Sequence, residues 1–128
     1  MFYEKGTHTE MAKSIPTRGW LIGHMIPEGG KGRTNDVEVK FWNFETPFPY
    51  GKKNLTGTEC DIIFEGALRF TFEKEGRRET VEIDGDKKEY IIIEPNLVKS
   101  VELMKAPARG VTVRWPSLPG GNQVIEKA

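Results

Sequence analysis

The sequence predicts an all-β fold, a single-domain antiparallel β-barrel or jelly roll, and three observations carry that reading. No sustained apolar stripe at three-to-four spacing runs through the 128 residues, so helices have little to build on. Short runs rich in valine, isoleucine, threonine and aromatic residues recur instead. Between them stand glycine, proline, asparagine and aspartate, the residues that turn chains. A chain of this length buries a core without staples, so residues 1–128 read as one domain with an N-terminal arm over 1–18 and an irregular tail over 116–128.

Taken in order, Thr9 to Ser14 suits a short turn of helix in the arm. Strands are expected over 19–26 and 36–44, joined by the basic, glycine-rich segment 27–35. Residues 45–58 read as a long loop whose Phe48 and Tyr50 fold back on the barrel or form a lid. Strands 59–65 and 67–74 follow as a hairpin across Gly66, because positive φ is cheap only there. Further strands fall at 79–84, 88–94, 98–104 and 110–115, with turns at Lys74-Glu75-Gly76, Asp84-Gly85-Asp86 and Glu94-Pro95-Asn96. In the tail, Val124-Ile125 offers an edge strand.

Strand alternation divides each run into two faces. Glu59, Asp61 and Ile63 oppose Cys60, Ile62 and Phe64. Ala67, Arg69, Thr71 and Glu73 oppose Leu68, Phe70 and Phe72, and Val37, Val39 and Phe41 oppose Glu38, Lys40, Trp42 and Phe44. Each strand has one apolar face and one mixed face. The mixed faces are either a pocket or a solvated surface.

Bulk properties exclude several classes. Lysine plus arginine equals aspartate plus glutamate at 19 each, interspersed along the chain, so no field draws it to nucleic acid or an anionic membrane. Cys60 is the only cysteine, which rules out an intrachain disulfide and fits a cytoplasmic setting. The first twenty residues hold no apolar run of signal-peptide length, and Tyr90-Ile91-Ile92-Ile93 is too short to span a bilayer.

Glu59, the six residues Cys60 to Glu65 and then Gly66 match the spacing of the second half of the first cupin motif. Glu94-Pro95-Asn96-Leu97-Val98-Lys99-Ser100 is similar to the proline loop of the second motif. Over residues 51–104 the chain thus resembles the cupin superfamily, and Thr17-Arg18-Gly19-Trp20-Leu21-Ile22-Gly23-His24 with Val37-Glu38-Val39-Lys40 resembles a group of small prokaryotic cupin-like proteins. The resemblance implies a double-stranded β-helix with a ligand cavity. It departs from the family at the metal ligands: the first two histidine positions fall at Lys52 and Asn54 or at Lys53 and Leu55, and the third at Ser100. Glu59 alone remains, and one carboxylate does not hold zinc, iron or manganese against water, so no metal and no other cofactor is expected.

The candidate ligand-binding residues are Glu59, Asp61, Glu38, Lys40, Arg69, His24 and Trp42. Paired carboxylates such as Glu59 and Asp61 do acid–base work when burial separates their pKa values, and on a solvated face they make only cross-strand ion pairs. His24, in an apolar strand, is either a hydrogen-bonded histidine at the barrel mouth or a relocated ligand. Trp20, Trp42, Trp115, Phe48 and Tyr50 stack a planar ligand or fill the core. Arg114 either binds an anionic ligand or, the favoured reading, is a surface arginine, and Cys60, without a base beside it, reads as an inert core thiol.

These features point to a metal-free protein that binds a small polar molecule in its barrel. Two alternatives stand beside it. A metal-independent sugar isomerase or epimerase would need His24 as its base. A filled barrel would make the chain an assembly module. An apolar outer sheet face, Ile62 and Phe64 with Leu68, Phe70 and Phe72, leads us to expect a homodimer.

Overall fold

Two long bent strands organise the molecule. The computed structural model describes residues 2–14, 18–46 and 49–126. Strands β4 (Thr58–Lys74) and β7 (Leu97–Trp115) run antiparallel from Thr58 opposite Trp115 to Glu73 opposite Val98. The C-terminal half of β7 and the N-terminal half of β4 form one sheet with β1 (Trp20–Ile22), β2 (Glu38–Phe44) and β6 (Tyr90–Ile93). The other halves form a second sheet with β3 (Pro49–Leu55), β5 (Arg77–Asp84) and β8 (Val124–Glu126). The result is a curled, antiparallel, all-β barrel, preceded by a single helical turn, α1 (His8–Ala12), capped by Thr7.

Gly66 corrects one expectation. It does not turn a hairpin; it bends one continuous strand. Its φ of 84° is left-handed, and a Cβ there would lie 2.6 Å from the Ala108 Cβ and from the Lys105 carbonyl oxygen. The pairing of β4 with β7 shifts register around it, between Ile63 and Leu68. The actual hairpin is β4–β5, turned by Glu75 and Gly76 at φ 51° and 78°, two successive positive values as tight hairpin turns require. The stretch facing Gly66, 105–109, is likewise the bend of a single strand, so 98–104 and 110–115 are not separate elements.

The bend has a consequence for parity. On β4 the inward residues are Glu59, Asp61 and Ile63 before it, and Leu68 and Phe70 after it. On β7 they are Leu97, Lys99 and Leu103 in one half and Ala108, Thr112 and Arg114 in the other. An extra residue at a bulge moves every following side chain to the opposite face. Leu68 and Phe70 therefore join Leu55, Ile63, Ile83, Ile93, Leu97 and Leu103 in the core instead of extending the outer face of Ile62 and Phe64.

Two further expectations change. Residues 49–55 are not loop but strand β3, held between β7 and β8; Phe48 and the Tyr50 side chain lie outside the described residues. The first strand stops at Ile22, and the glycine-rich segment after it is tied back by Gly23 N–H to the Gly32 carbonyl at 2.9 Å and by Arg33 to the Ile26 carbonyl at 2.7 Å. Val124-Ile125 does form the edge strand, β8. No helix among the described residues is long and apolar enough to cross a membrane.

Candidate functional site

The inner face of the first sheet carries two polar rows. Strand pairing sets Glu38 opposite Arg114 and Arg114 opposite Glu59; one step along, Lys40 stands opposite Thr112 and Thr112 opposite Asp61. Below them Trp42 faces Gly110, where any Cβ would meet the indole ring. From the second sheet Lys53 and Lys99, directly opposite each other on β3 and β7, point into the same space. A cavity of about 120 Å³ lies between the sheets, polar on the side of Lys40, Lys53, Asp61 and Lys99 and apolar on the side of Trp42, Phe44, Leu68 and Phe70.

Glu59 is the centre of the polar network. It is fully buried, with Lys99 Nζ donating to Oε2 at 2.6 Å and Arg114 Nε donating to Oε1 at 2.5 Å. Burial alone would raise its pKa, but the Lys99 charge and, after it, the Arg114 charge outweigh that and hold it far below the usual carboxylate range. Arg114 also donates to Glu38 at 3.3 Å, so the guanidinium is clamped between two buried carboxylates. Arg114 is thus a core residue, not the surface arginine its place at a strand end implied, because the β7 bend turns it inward.

Asp61 behaves in the opposite way. Burial, then the nearby charge of Glu59, push its pKa well up. Thr112 donates to Asp61 Oδ1 at 2.5 Å and accepts from Trp42 Nε1 at 3.1 Å. Asp61 Oδ2 receives no N–H or O–H from the described residues. Two neighbouring carboxylates with pKa values driven in opposite directions are the signature of a tuned site.

The cavity carries more positive than negative charge. Lys99 and Arg114 are matched by Glu59 and Glu38. Lys40 and Lys53 form no ion pair among the described residues. Burial, followed by the repulsion of Arg114 and other cations, lowers Lys40. For Lys53, burial, then Arg114 and Lys99, pull the pKa down from 10.5 to about 7 against the opposing pull of Glu59. Lys40 and Arg114 also approach the Trp20 ring, at 5.6 and 5.3 Å from its centroid.

Among solved structures, this barrel is similar to Bacillus subtilis oxalate decarboxylase, with TM-score 0.61 and 13% identity over 72% of this chain. The match spans 25% of that enzyme's own chain. It is also similar to a cupin superfamily protein from Desulfitobacterium hafniense, with TM-score 0.54 and 8% identity over 64% of this chain and 69% of that one. The fold is that of a cupin. No protein-family model and no curated protein matches the chain.

Within this fold, the cavity departs from a metal centre. Of the positions that the resemblance reserves for imidazoles, Lys53 and Leu55 point inward, whereas Lys52 and Asn54 point out. Ser100 points outward as well, and its neighbour Lys99 takes the inward place, one residue from the motif's expectation. Both Glu59 oxygens are occupied by cations, and no group of three or more histidine, cysteine, aspartate or glutamate side chains among the described residues is set to hold a metal. With both Glu59 oxygens taken by cations and lysine and leucine at the inward imidazole positions, the residues present do not fit a divalent ion.

Of the residues singled out from sequence, Asp61, Lys40 and Trp42 line the cavity. Glu59 and Glu38 lie behind it as counter-ions of Lys99 and Arg114. His24 is beside the network, not in the cavity: Nδ1 is 2.7 Å from Ser117 Oγ and 3.7 Å from Glu38. Arg69 is on the outside. The bulge at Gly66 reverses parity between Asp61 and Arg69, which pairs with Glu82 at 3.1 Å and Glu102 at 3.6 Å on the outer face. Trp115 is exposed, and Cys60 is half-buried on the outer face, its thiol pushed up by burial and by Asp61 and Glu59. Lysines 53 and 99 were missed. Their signal is a charged residue at an inward position of an otherwise apolar alternation, Leu97, Lys99, Val101 and Leu103 for one and Lys53 with Leu55 for the other.

Proposed function

We propose that the barrel binds a small organic anion, without a resident metal. The observation that carries this reading is the pair Lys40 and Lys53, which line one cavity and have no carboxylate to pair with among the described residues. An amine buried without a counter-charge costs stability, and an anion would remove that cost. The apolar wall of Trp42, Phe44, Leu68 and Phe70 favours a ligand with a hydrocarbon part opposite its charge.

The alternative of an isomerase relying on His24 has less support, since that imidazole bonds Ser117 and does not face the cavity. A filled barrel is also less well supported, given the open volume. The test is a thermal-shift series at low salt with propionate, lactate and pyruvate against their uncharged amides, in the presence of a chelator. Carboxylates should raise the melting temperature, amides should not, and Lys40→Met with Lys53→Met should abolish the difference. Stabilisation that appears only when a divalent metal is added would sink the reading.

A further inference from the structure

The same cavity brings together an amine that forms no ion pair among the described residues and a buried carboxyl. Lys53 lies on β3 in the second sheet, and Lys40 and Asp61 lie on β2 and β4 in the first, so the three approach the cavity from opposite walls. Lys53 stands directly opposite Lys99, a like-charge pairing that destabilises a sheet unless one member gives up its proton. Lys99 is engaged by Glu59 at 2.6 Å, whereas Lys53 has no carboxylate paired with it among the described residues. Asp61 is buried and lines the cavity, and its Oδ2 has no hydrogen-bond partner among the described residues.

We propose that Lys53 is a nucleophile, condensing with the carbonyl carbon of a small keto acid to form an imine inside the barrel, with Lys40 holding the carboxylate and Asp61 serving as the acid. This rests on the anion-binding reading and extends it to a covalent step. The Nζ lone pair forms the C–N bond as the carbonyl π pair moves to oxygen. That oxygen takes one proton from the nitrogen and one from Asp61 and leaves as water. A protonated imine remains, and Asp61 regains its proton from solvent; no oxidant or reductant takes part.

The charged groups around Lys53 agree with this role. Arg114 and Lys99 on β7 and Lys40 on β2 disfavour its proton, while Glu59 on β4 opposes them, and burial decides the balance, bringing the amine to about 7. At pH 7 roughly half of such an amine is neutral, against roughly one part in three thousand for an ordinary lysine. Desolvation beside other cations is a recognised way to activate an amine toward carbonyls.

The experiment treats the full chain with pyruvate and cyanoborohydride and follows it by intact mass and peptide mapping. One reduced pyruvyl group per chain, located on Lys53 and suppressed by saturating propionate, is the expected result. The rate should rise with pH through about 7 and then level off, and Lys53→Arg should lose the adduct. Labelling spread evenly over the lysines, or none while propionate still stabilises the protein, overturns the imine and leaves anion binding standing. Absence of both adduct and thermal shift removes anion binding as well.

Discussion

At the scale of single residues, burial and pairing set opposite behaviour in neighbouring side chains. Glu59 is ionised because Lys99 and Arg114 hold both its oxygens. Glu59→Gln leaves those two cations buried with less than a full counter-charge, and breaking a buried pair costs about 3–5 kcal/mol. Urea denaturation at pH 7 should show a loss of that size, so this variant tests the network and not ligand affinity. Lys53 should do the reverse. Its folded-state pKa of about 7 lies below the ordinary 10.5, so between those values the unfolded chain binds more protons and stability rises with pH. Lys53→Met removes that slope. It should be more stable than the parent by about 1–3 kcal/mol at pH 7, a difference that shrinks toward pH 10. A variant less stable than the parent at every pH would show that Lys53 is paired in solution.

At the scale of elements, the bulge at Gly66 decides what the barrel contains. Its left-handed backbone and its approach to Ala108 leave no room for a side chain. Gly66→Ala adds backbone strain and overpacking, together worth about 2–4 kcal/mol. Gly76, also at positive φ but with open space around its Cβ position, provides the control. Gly76→Ala should cost about 1–2 kcal/mol from strain alone. Urea midpoints of the two variants separate the effects, and equal losses would show that contact with Ala108 is unimportant.

At the scale of the whole molecule, the same sheet that lines the cavity turns an apolar surface outward. Val39, Val113, Cys60 and Ile92 align across four strands, and Phe41, Val111, Ile62 and Tyr90 align beside them. The arm covers one end, where His8 meets Phe41 at 5.5 Å between ring centroids, while Ile62, Phe64, Tyr90 and Ile92 remain exposed. A second copy is the expected cover, since a two-fold axis makes a patch its own complement and a chain of zero net charge does not repel itself. Sedimentation at micromolar concentration should give twice the 14.5 kDa chain mass, and Ile62→Lys should return it to one. A monomeric parent would leave the patch to another partner.

The sequence by itself determined the fold class, because period-two alternation and turn residues are local properties that each strand carries alone. It also determined that Glu59 and Asp61 share a face, and Lys40 and Trp42 another, since two residues along a strand always do. It could not determine which face looks inward across a bend. The bulge at Gly66 reverses parity, moving Arg69 to the surface and Leu68 and Phe70 to the core, and only the register with β7 reveals it. The partners of Glu59 were equally hidden, because Lys99 and Arg114 lie 40 and 55 residues away along the chain. The unmatched charge of Lys40 and Lys53 is a property of the cavity: it exists only once strands from both sheets close around one space, where burial and neighbouring cations act on each amine together.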